Sequence, residues 1–282
     1  MYTLKKSNQD RIIKMVKLIL LLILVIIFFA PLVSMLITSI KTRGELYIYP
    51  PVFFPEEAQW ENYKKAWTMI NYPKYLGNSI ILALFYTIPC IMGSALAGYG
   101  FARFNVKSKR ILFPVMLSTM MIPYMVTVIP LYLMLMKTGL VDKMFFWILW
   151  GIPGTPFLIF LFKQYFSTIP LSFEESARLD GAGRFQIFFK IMFPLVQTAV
   201  VIAAIFAFQW VWSDFLLPVL LLRGEKVNLA VRLATGYSDL KDNVLYNIGM
   251  AGILYYTLPI VILFFTLQKK FIAGLTAGGL KG

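Results

Sequence analysis

The chain of 282 residues is 59% hydrophobic and only 14% charged, a balance that excludes an ordinary water-soluble domain. Its 25 Phe, 15 Tyr and 6 Trp residues carry far more apolar surface than an intrinsically disordered chain would. The net charge of +14 raises the question of nucleic-acid binding, but the Lys and Arg residues cluster between long uncharged stretches, so we attribute the excess to membrane topology and expect no nucleic-acid partner.

Six long stretches with at most one charged residue each divide the chain. A helix needs about 20 predominantly apolar residues to cross the hydrocarbon core of a bilayer, and each stretch reaches that length. None of them alternates apolar and polar residues as the strands of a membrane barrel do. The sequence therefore predicts an all-α integral membrane protein with six transmembrane helices. The predicted spans are 18–40, 77–102, 111–136, 144–163, 195–222 and 248–268.

The basic residues also predict the orientation of the chain. If residues 1–17 lie in the cytoplasm, the connection after the second span, the segment 163–194 and the tail 269–282 lie there too. These four regions hold the larger share of the 27 Lys and Arg residues, as the positive-inside rule requires. The first span is not interpreted as a signal peptide, because it is longer than a signal h-region and no small-residue cleavage pattern follows Pro31.

The residues that build most catalytic and metal sites are scarce. The chain has no histidine and a single cysteine, Cys90, which falls inside the second predicted span. We therefore predict a buried, unpaired thiol, no catalytic residues, no metal site and no cofactor.

The segment 163–194 differs from the other connections in its helix signals. Pro170 and a candidate N-cap, Ser172, precede two acidic residues, Glu174 and Glu175, in a predicted first turn. The segment predicts a short cytoplasmic helix, a glycine break and a second helix that enters the membrane. Physical arguments alone leave two readings open, a helix that sits in the cleft of another protein and a loop that lies on the membrane surface.

The apolar residues and glycines of this short helix suggest how it is used. Phe173, Ala177 and Leu179 are predicted to form one apolar face. Gly181 and Gly183 would let the backbone turn or let a partner approach closely.

At this segment the sequence resembles the permease subunits of bacterial ATP-binding-cassette (ABC) importers. The family motif is Glu-Ala-Ala, three residues, Gly, nine residues, Ile, one residue and Leu-Pro. This chain keeps that spacing with Glu175-Ser176-Ala177, Gly181, Ile191 and Phe193-Pro194. Ser replaces the second Ala of the motif and Phe replaces its Leu.

Further segments resemble the maltose-type carbohydrate branch of this family, so the resemblance extends over essentially the whole chain. The fifth-span motif departs from the branch pattern Trp-Asn-Asp-Phe by one Ser. The matching segments are Asn78-Ser79, 97–104, Met121-Ile122-Pro123, 129–132, Trp212-Ser213-Asp214-Phe215 and 274–282.

The resemblance implies a multi-protein importer in the bacterial plasma (inner) membrane. The chain would be a multi-pass permease domain, 18–268, with both termini in the cytoplasm. Its partners would be a dimer of cytosolic ABC ATPases, a second homologous permease, membrane lipid and an extracytoplasmic solute-binding protein that delivers a carbohydrate. The sequence has no G-x-x-x-x-G-K-[ST] phosphate loop, so ATP hydrolysis is expected on the partner ATPase.

By the same resemblance, the loop 167–194 carries a coupling helix that sits in a groove of the ATPase. Glu175 would be its polar anchor, and Gly181 would be a point of close approach. The candidate coupling residues are Glu174, Glu175, Ser176, Ala177, Asp180, Gly181, Ala182 and Gly183.

Asp214 is the one charge in the interior of a predicted span, since Lys163 is the last residue of its own span. A charge near the bilayer centre costs about 2.5–3.5 kcal/mol. One reading is a group at the translocation path or at a subunit interface, with Gln209 and Trp212 beside it. The other reading is an acid near the outer membrane surface, because it lies about 30 Å along a helix that starts at Pro194. The sequence is compatible with both interpretations.

Two other functions compete with the carbohydrate importer. The first is an ABC permease for a non-carbohydrate solute, which the loop motif does not distinguish. The second is an ion-coupled secondary transporter, which usually has ionisable residues in several spans and internal repeats.

Overall fold

The computed structural model describes the backbone of residues 2–239 and 241–279, and the side chains of 11–239 and 241–268. The whole predicted tail 269–282, which includes the candidate motif 274–282, and residues 1–10 of the predicted N-terminal tail lie outside the described side chains. Within the described residues the chain is helical, and its extended pairing is limited to an isolated bridge between Ser238 and Val244. The helices are α1 (Tyr2–Ser39), α2 (Glu61–Met69), α3 (Tyr72–Arg103), α4 (Lys109–Ser118), α5 (Tyr124–Lys137), α6 (Phe146–Gly151), α7 (Pro156–Thr168), α8 (Ser172–Leu179), α9 (Arg184–Leu195), α10 (Gln197–Ser213), α11 (Leu216–Leu221), α12 (Leu229–Gly236) and α13 (Tyr246–Gly279).

Three helical segments are long and apolar enough to cross a membrane by themselves: Arg11–Ser39, Tyr72–Arg103 and Tyr246–Gln268. Two further pairs pass the same criterion together but are sharply bent. The pair α4 and α5 bends by 99°, and the pair α9 and α10 by 80°. The described residues therefore contain three clear spans, or up to five if each bent pair is one span.

Three of the six predicted spans are not single helices, and the breaks have local causes. Ile122 is extended (φ −81°, ψ 116°) because the following Pro123 disfavours a helical conformation in the residue before it. The predicted span 144–163 is divided into α6 and α7 by a turn in which Gly154 has a φ of +71°. The predicted span 195–222 is interrupted at Asp214, which is extended (φ −72°, ψ 119°).

The chain divides into two compact units, Met1–Asn71 with Thr235–Tyr256, and Tyr72–Ala234 with Thr257–Gly282. In the first unit, polar side chains hold the segment that follows α1. The Asn62 amide donates to the carbonyl oxygens of Ser39 (2.9 Å) and Lys41 (3.0 Å), and Asn247 also donates to Lys41 (3.0 Å). The Tyr237 hydroxyl donates to the carbonyl oxygen of Ala66 at 2.7 Å. These bonds fix the segment after α1 to α2 and to the start of α13.

The first unit also contains a charged contact in a loop. The Arg43 guanidinium lies 2.6 Å from the Asp239 carboxylate, which also accepts hydrogen bonds from the backbone and side-chain amides of Asn243. These donors, Arg43 foremost, hold the pKa of Asp239 well below its usual value. The contribution of Asp239 to stability is therefore present above the unfolded carboxyl pKa and is lost as the pH falls toward the lowered folded pKa.

We expect this contact to appear as a pH-dependent difference between the wild-type protein and Asp239→Asn. The wild-type protein should melt at the higher temperature at neutral pH. The difference should shrink below about pH 4, where the Asp239 carboxylate of the unfolded chain takes up a proton while that of the folded protein stays ionised. Thermal unfolding of both proteins between pH 7 and pH 3 measures it. A difference that is constant over this range would contradict the assignment.

In the second unit, α3 is the central helix, and α6, α7 and α10 pack against it. Glycines at the α3–α6 and α3–α7 contacts bring the backbones close together. A Cβ atom on Gly93 would lie 1.9 Å from the carbonyl oxygen of Ile152, and one on Gly98 would lie 2.6 Å from Phe162 Cβ. A Cβ atom on Gly154 would lie 2.7 Å from the Ser94 backbone nitrogen. α3 and the α6–α7 pair therefore form a tightly packed block. Cys90 is fully buried in α3, as the sequence predicts.

Candidate functional site

The short helix that the sequence predicts in the segment 163–194 is α8. It begins one residue after Leu171, which occupies the N-cap position with helical dihedral angles, and no side chain caps this end. The prediction of Ser172 as the N-cap is therefore wrong, since Ser172 is the first residue inside the helix. The acidic residues Glu174 and Glu175 do lie in the first turn, where the positive end of the helix dipole favours them.

Glu174 is the buried acid of α8, with a side chain only 2% exposed. Its Oε1 lies 2.7 Å from Arg103 Nε at the end of α3, and its Oε2 accepts a hydrogen bond of 3.1 Å from the Tyr99 hydroxyl. Arg178, which is largely exposed, approaches the same oxygen at 3.3 Å. Arg103 also donates from Nη2 to the carbonyl oxygen of Ile169 at 2.7 Å. Through the ion pair and this hydrogen bond, Arg103 joins both α8 and the turn before it to α3.

The C-terminal end of α8 is closed by a glycine motif. Gly181 has a φ of +79°, its N–H donates to the carbonyl oxygen of Arg178 (3.0 Å), and the Ala182 N–H donates to Ala177 (2.9 Å). This pattern is a Schellman motif with glycine in the left-handed position. Gly181 thus has a local conformational role, because side-chain-bearing residues rarely adopt this φ. No other group lies within 4 Å of the position of a Cβ atom at Gly181.

The other candidate coupling residues divide between two faces of α8. Ala177 is buried and Ala182 is half-buried, while Glu175, Ser176 and Asp180 are exposed, as are Gly181 and Gly183.

The predicted apolar face of Phe173, Ala177 and Leu179 is wrong. Ala177 points into the protein, whereas Leu179 is 89% exposed and lies on the outward side with Glu175 and Ser176. Phe185, just after the glycine break, is also 77% exposed. Phe185 is not among the residues predicted from the sequence, although a large apolar residue close to two glycines is a signal for a contact with another protein.

The second candidate site is the break between α10 and α11. Asp214 Oδ1 accepts a hydrogen bond from the Leu217 N–H (3.3 Å), so the carboxylate caps the start of α11. Its Oδ2 accepts from the Tyr124 hydroxyl at 3.4 Å. Tyr124 is the first residue of α5, directly after the break at Pro123. Asp214 is therefore half-buried at a point where two interrupted spans meet.

A set of amide and hydroxyl groups, of which Ser79 and Asn228 are buried, extends from this break to the start of α3. Asn228, which is 1% exposed, donates from Nδ2 to the carbonyl oxygen of Asp214 at 2.8 Å. Next to it, the Leu229 N–H donates to Ser79 Oγ (2.8 Å), and Asn78 donates to the carbonyl oxygens of Glu225 (2.8 Å) and Val227 (2.9 Å). Three motifs far apart in sequence, at Asn78-Ser79, Pro123 and Asp214, are thus brought together.

The two side chains predicted to accompany Asp214 lie in different environments. Gln209 is exposed, but Trp212 is fully buried and stacks on Phe208, with ring centroids 5.2 Å apart. Trp210 is 51% exposed and packs edge-on against Tyr124, with centroids 6.1 Å apart. Of the tryptophans near Asp214, Trp210 is therefore the one that presents a surface.

The sequence profile of the family described as "Binding-protein-dependent transport system inner membrane component" matches residues 90–276. The chain belongs to this family. The predicted class is thereby confirmed: the protein is a transport permease of a multi-pass inner-membrane type and not an enzyme. The matched range contains both α8 and the break at Asp214.

Relatives of this permease cover most of its length. It is 32% identical to the Melibiose/raffinose/stachyose import permease protein MelC of Bacillus subtilis, over 90% of this chain and 92% of that protein. It is also 32% identical to the Arabinooligosaccharides transport system permease protein AraQ of the same organism, over 99% and 100%. The Maltodextrin transport system permease protein MalD of Streptococcus pneumoniae is 36% identical, over 80% and 81%.

A solved structure has the same fold. It is described as the crystal structure of a bacterial ABC transporter involved in the import of the acidic polysaccharide alginate, and the matching chain superposes with a TM-score of 0.80 at 24% identity. The match covers 93% of the permease and 98% of that chain. The predicted all-α fold of an ABC importer permease is confirmed.

Proposed function

We propose that the permease forms half of the translocation path of an ATP-driven importer and that the outward face of α8 docks on the partner ATPase. The exposed face of α8, with Glu175, Ser176 and a nearly fully exposed Leu179, is the observation that carries this proposal. A cytoplasmic helix that combines an exposed apolar side chain with an acid suits a groove in another protein. The partners are a dimer of cytosolic ABC ATPases, a second homologous permease and an extracytoplasmic solute-binding protein.

The proposed substrate is a sugar or oligosaccharide delivered by that binding protein. The support comes from the relatives, whose names specify melibiose, raffinose, stachyose, arabinooligosaccharides and maltodextrin. The proposed path or subunit interface includes Gln209 and Asp214 beside the exposed ring of Trp210. Helices broken at membrane depth commonly line a cavity, which supports this choice over the buried Trp212.

The proposed topology has six spans with both termini in the cytoplasm. The α6–α7 pair would then serve as the fourth span, in addition to the three clear spans and the two bent pairs. Reporter fusions after residues 140 and 240 should score as extracytoplasmic and a fusion at the C-terminus as cytoplasmic. The opposite pattern would overturn the orientation.

Substitutions on the exposed face of α8 are expected to lower sharply the amount of ATPase that is recovered with the permease. Glu175→Lys puts a positive charge where the docking face carries a negative one, and Leu179→Asp removes the exposed apolar side chain of that face. Each variant should therefore lower ATPase recovery at least about tenfold. Both residues are exposed, so the amount of inserted protein should not change. The measurement is the ATPase content of the tagged permease purified from membranes in mild detergent.

The matched control is Glu57→Lys, the same charge reversal at an exposed residue outside α8. It should retain the ATPase. Transport is tested with the reconstituted complex and its binding protein, using labelled raffinose, maltotriose and arabinotriose in turn. Uptake driven by an ion gradient without the ATPase would instead support a secondary transporter, and ATP-driven uptake of none of the sugars would point to a non-carbohydrate solute.

A further inference from the structure

Among the candidate coupling residues, Glu174 is the one whose charge faces the membrane helices of its own chain. Its carboxylate is 2% exposed, and the Arg103 side chain that pairs with it is 7% exposed. A residue so deeply covered cannot also be a surface anchor for the ATPase. Its partners Arg103 and Tyr99 both lie in the last two turns of α3.

Aromatic packing strengthens this junction. The Tyr99 ring packs against both Phe166 of α7 and Phe188 of α9, with ring centroids 5.4 Å and 5.3 Å away. Tyr99, Phe166 and Phe188 are all buried. The contact between α8 and α3 is therefore a covered charge pair that touches a packed aromatic cluster through Tyr99, and not a surface contact.

α3 is one continuous helix that is braced along its length. It runs for 32 residues without interruption, and the α6–α7 turn is pressed against it at Gly93 and Ser94. Its internal Pro89, a point where a helix could bend, is braced by Gly151, on which a Cβ atom would lie 3.0 Å from Pro89 Cγ. From Arg103 to Asn78 the helix covers about 38 Å at 1.5 Å per residue.

The far end of α3 holds the loop that is hydrogen-bonded to the break at Asp214. Asn78 and Ser79 bind the segment 225–229 through three hydrogen bonds of 2.8–2.9 Å. Asn228 in that segment donates to the Asp214 carbonyl oxygen at 2.8 Å. Fixed polar contacts therefore exist at both ends of the helix.

We propose that Glu174 and Arg103 are positioning residues that pass the movement of the coupling helix to α3, and that α3 carries it to the hydrogen-bonded loop at Asp214. The proposal rests on the proposed importer function and adds to it the route by which ATPase closure reaches the translocation path. A charge pair suits this purpose because it links two helices that are not consecutive in the chain and resists separation in a covered site.

A purely structural role for this pair makes a different prediction. Removing one partner from a buried pair leaves an uncompensated charge, whereas replacing both by leucine is often neutral for stability. A structural role therefore predicts normal transport by the double variant Arg103→Leu/Glu174→Leu. A transmitting role predicts a folded complex that hydrolyses ATP without transport.

The experiment uses the complete complex reconstituted with its binding protein. Three forms are compared: wild type, Arg103→Leu/Glu174→Leu, and the charge exchange Arg103→Glu/Glu174→Arg. For each form we would measure the recovery of the ATPase, the rate of ATP hydrolysis and the uptake of a labelled sugar. The sugar is the one of raffinose, maltotriose and arabinotriose that the wild type imports. The control, Glu61→Gln/Lys64→Gln, removes an exposed ion pair with a 4.0 Å separation and should leave uptake within about twofold.

We expect the double leucine variant to keep its ATPase and to lose uptake per ATP hydrolysed at least about tenfold, and the charge exchange to recover most of that loss. Normal uptake by the double leucine variant would overturn the proposal. Loss of the ATPase from this variant would also overturn it, because the pair would then serve docking. A wild-type complex without ATPase or ATP-driven uptake would instead refute the proposed function.

Discussion

Gly93→Ala is expected to be among the most damaging single substitutions in the permease. The added Cβ atom would lie 1.9 Å from the Ile152 carbonyl oxygen and 3.2 Å from the Gly154 nitrogen. Both are backbone atoms of the turn between α6 and α7, so no side-chain rotation relieves the overlap. Forcing an extra carbon into a packed core costs about 1–3 kcal/mol or more, and here the backbone itself must shift. The measurement is the thermal midpoint and the yield of monodisperse protein in detergent.

The matched control lies in the same helix. At Gly77 no heavy atom of the described residues, apart from the adjoining backbone of α3 itself, lies within 4 Å of the position of an added Cβ atom. Gly77→Ala should therefore be neutral or slightly stabilising, since alanine favours a helix over glycine by about 1 kcal/mol. Equal midpoints for Gly93→Ala and Gly77→Ala would show that the α3–α6 contact is looser than described.

Arg103→Leu is expected to destabilise the permease more than the loss of a surface charge would. The substitution leaves the Glu174 carboxylate buried and without its partner at 2.7 Å, and the Ile169 carbonyl oxygen also loses its 2.7 Å donor. Breaking a buried pair in this way typically costs about 3–5 kcal/mol. The expected result is a large drop in thermal midpoint, which the second substitution Glu174→Leu should largely reverse.

Arg178→Leu is the comparison that isolates burial. Its side chain is 59% exposed and approaches the same carboxylate at 3.3 Å, so water screens the interaction. Thermal unfolding of the two single variants should separate them clearly. Similar midpoints for Arg103→Leu and Arg178→Leu would contradict the strong contribution assigned to the buried pair.

The sequence was sufficient for the long apolar helices and for the existence of α8. Uninterrupted apolar stretches predict α1, α3 and α13, because a bilayer requires hydrophobic length more than any particular packing. The helix break at Gly181 was also predictable, since glycine is the residue that a left-handed C-terminal cap favours. The family motif at 175–194 added the functional interpretation of this loop.

The breaks within the predicted spans were harder to predict. Pro130 and Pro259 lie inside continuous helices. Pro123, in contrast, follows the extended residue Ile122 and lies at the break directly before α5. A proline alone does not decide between these outcomes, because neighbouring helices can satisfy the backbone groups that it frees. The break at Pro123 also places Tyr124 beside Asp214, a contact between residues 90 positions apart that the local sequence does not reveal.

The orientation of α8 could not be derived from its sequence either. Glu174 and Glu175 are adjacent and identical, and in a helix of 8 residues several faces are equally compatible with burial. The choice is made by Arg103, whose covered guanidinium requires one carboxylate. The same rotation exposes Leu179 and turns Ala177 inward.

The first long helix shows the reverse situation. In the span Arg11–Ser39, the most apolar window has none of its residues buried within the described protein. Within this chain, the contacts therefore constrain the average hydrophobicity of the span and not the identity of each residue, so apolar residues can replace one another during evolution. Shuffling the order of the residues 18–30 should leave expression and membrane insertion intact, whereas the same treatment of 86–98 in α3 would destroy the glycine contacts. Sequence divergence between close homologues should accordingly be concentrated in α1.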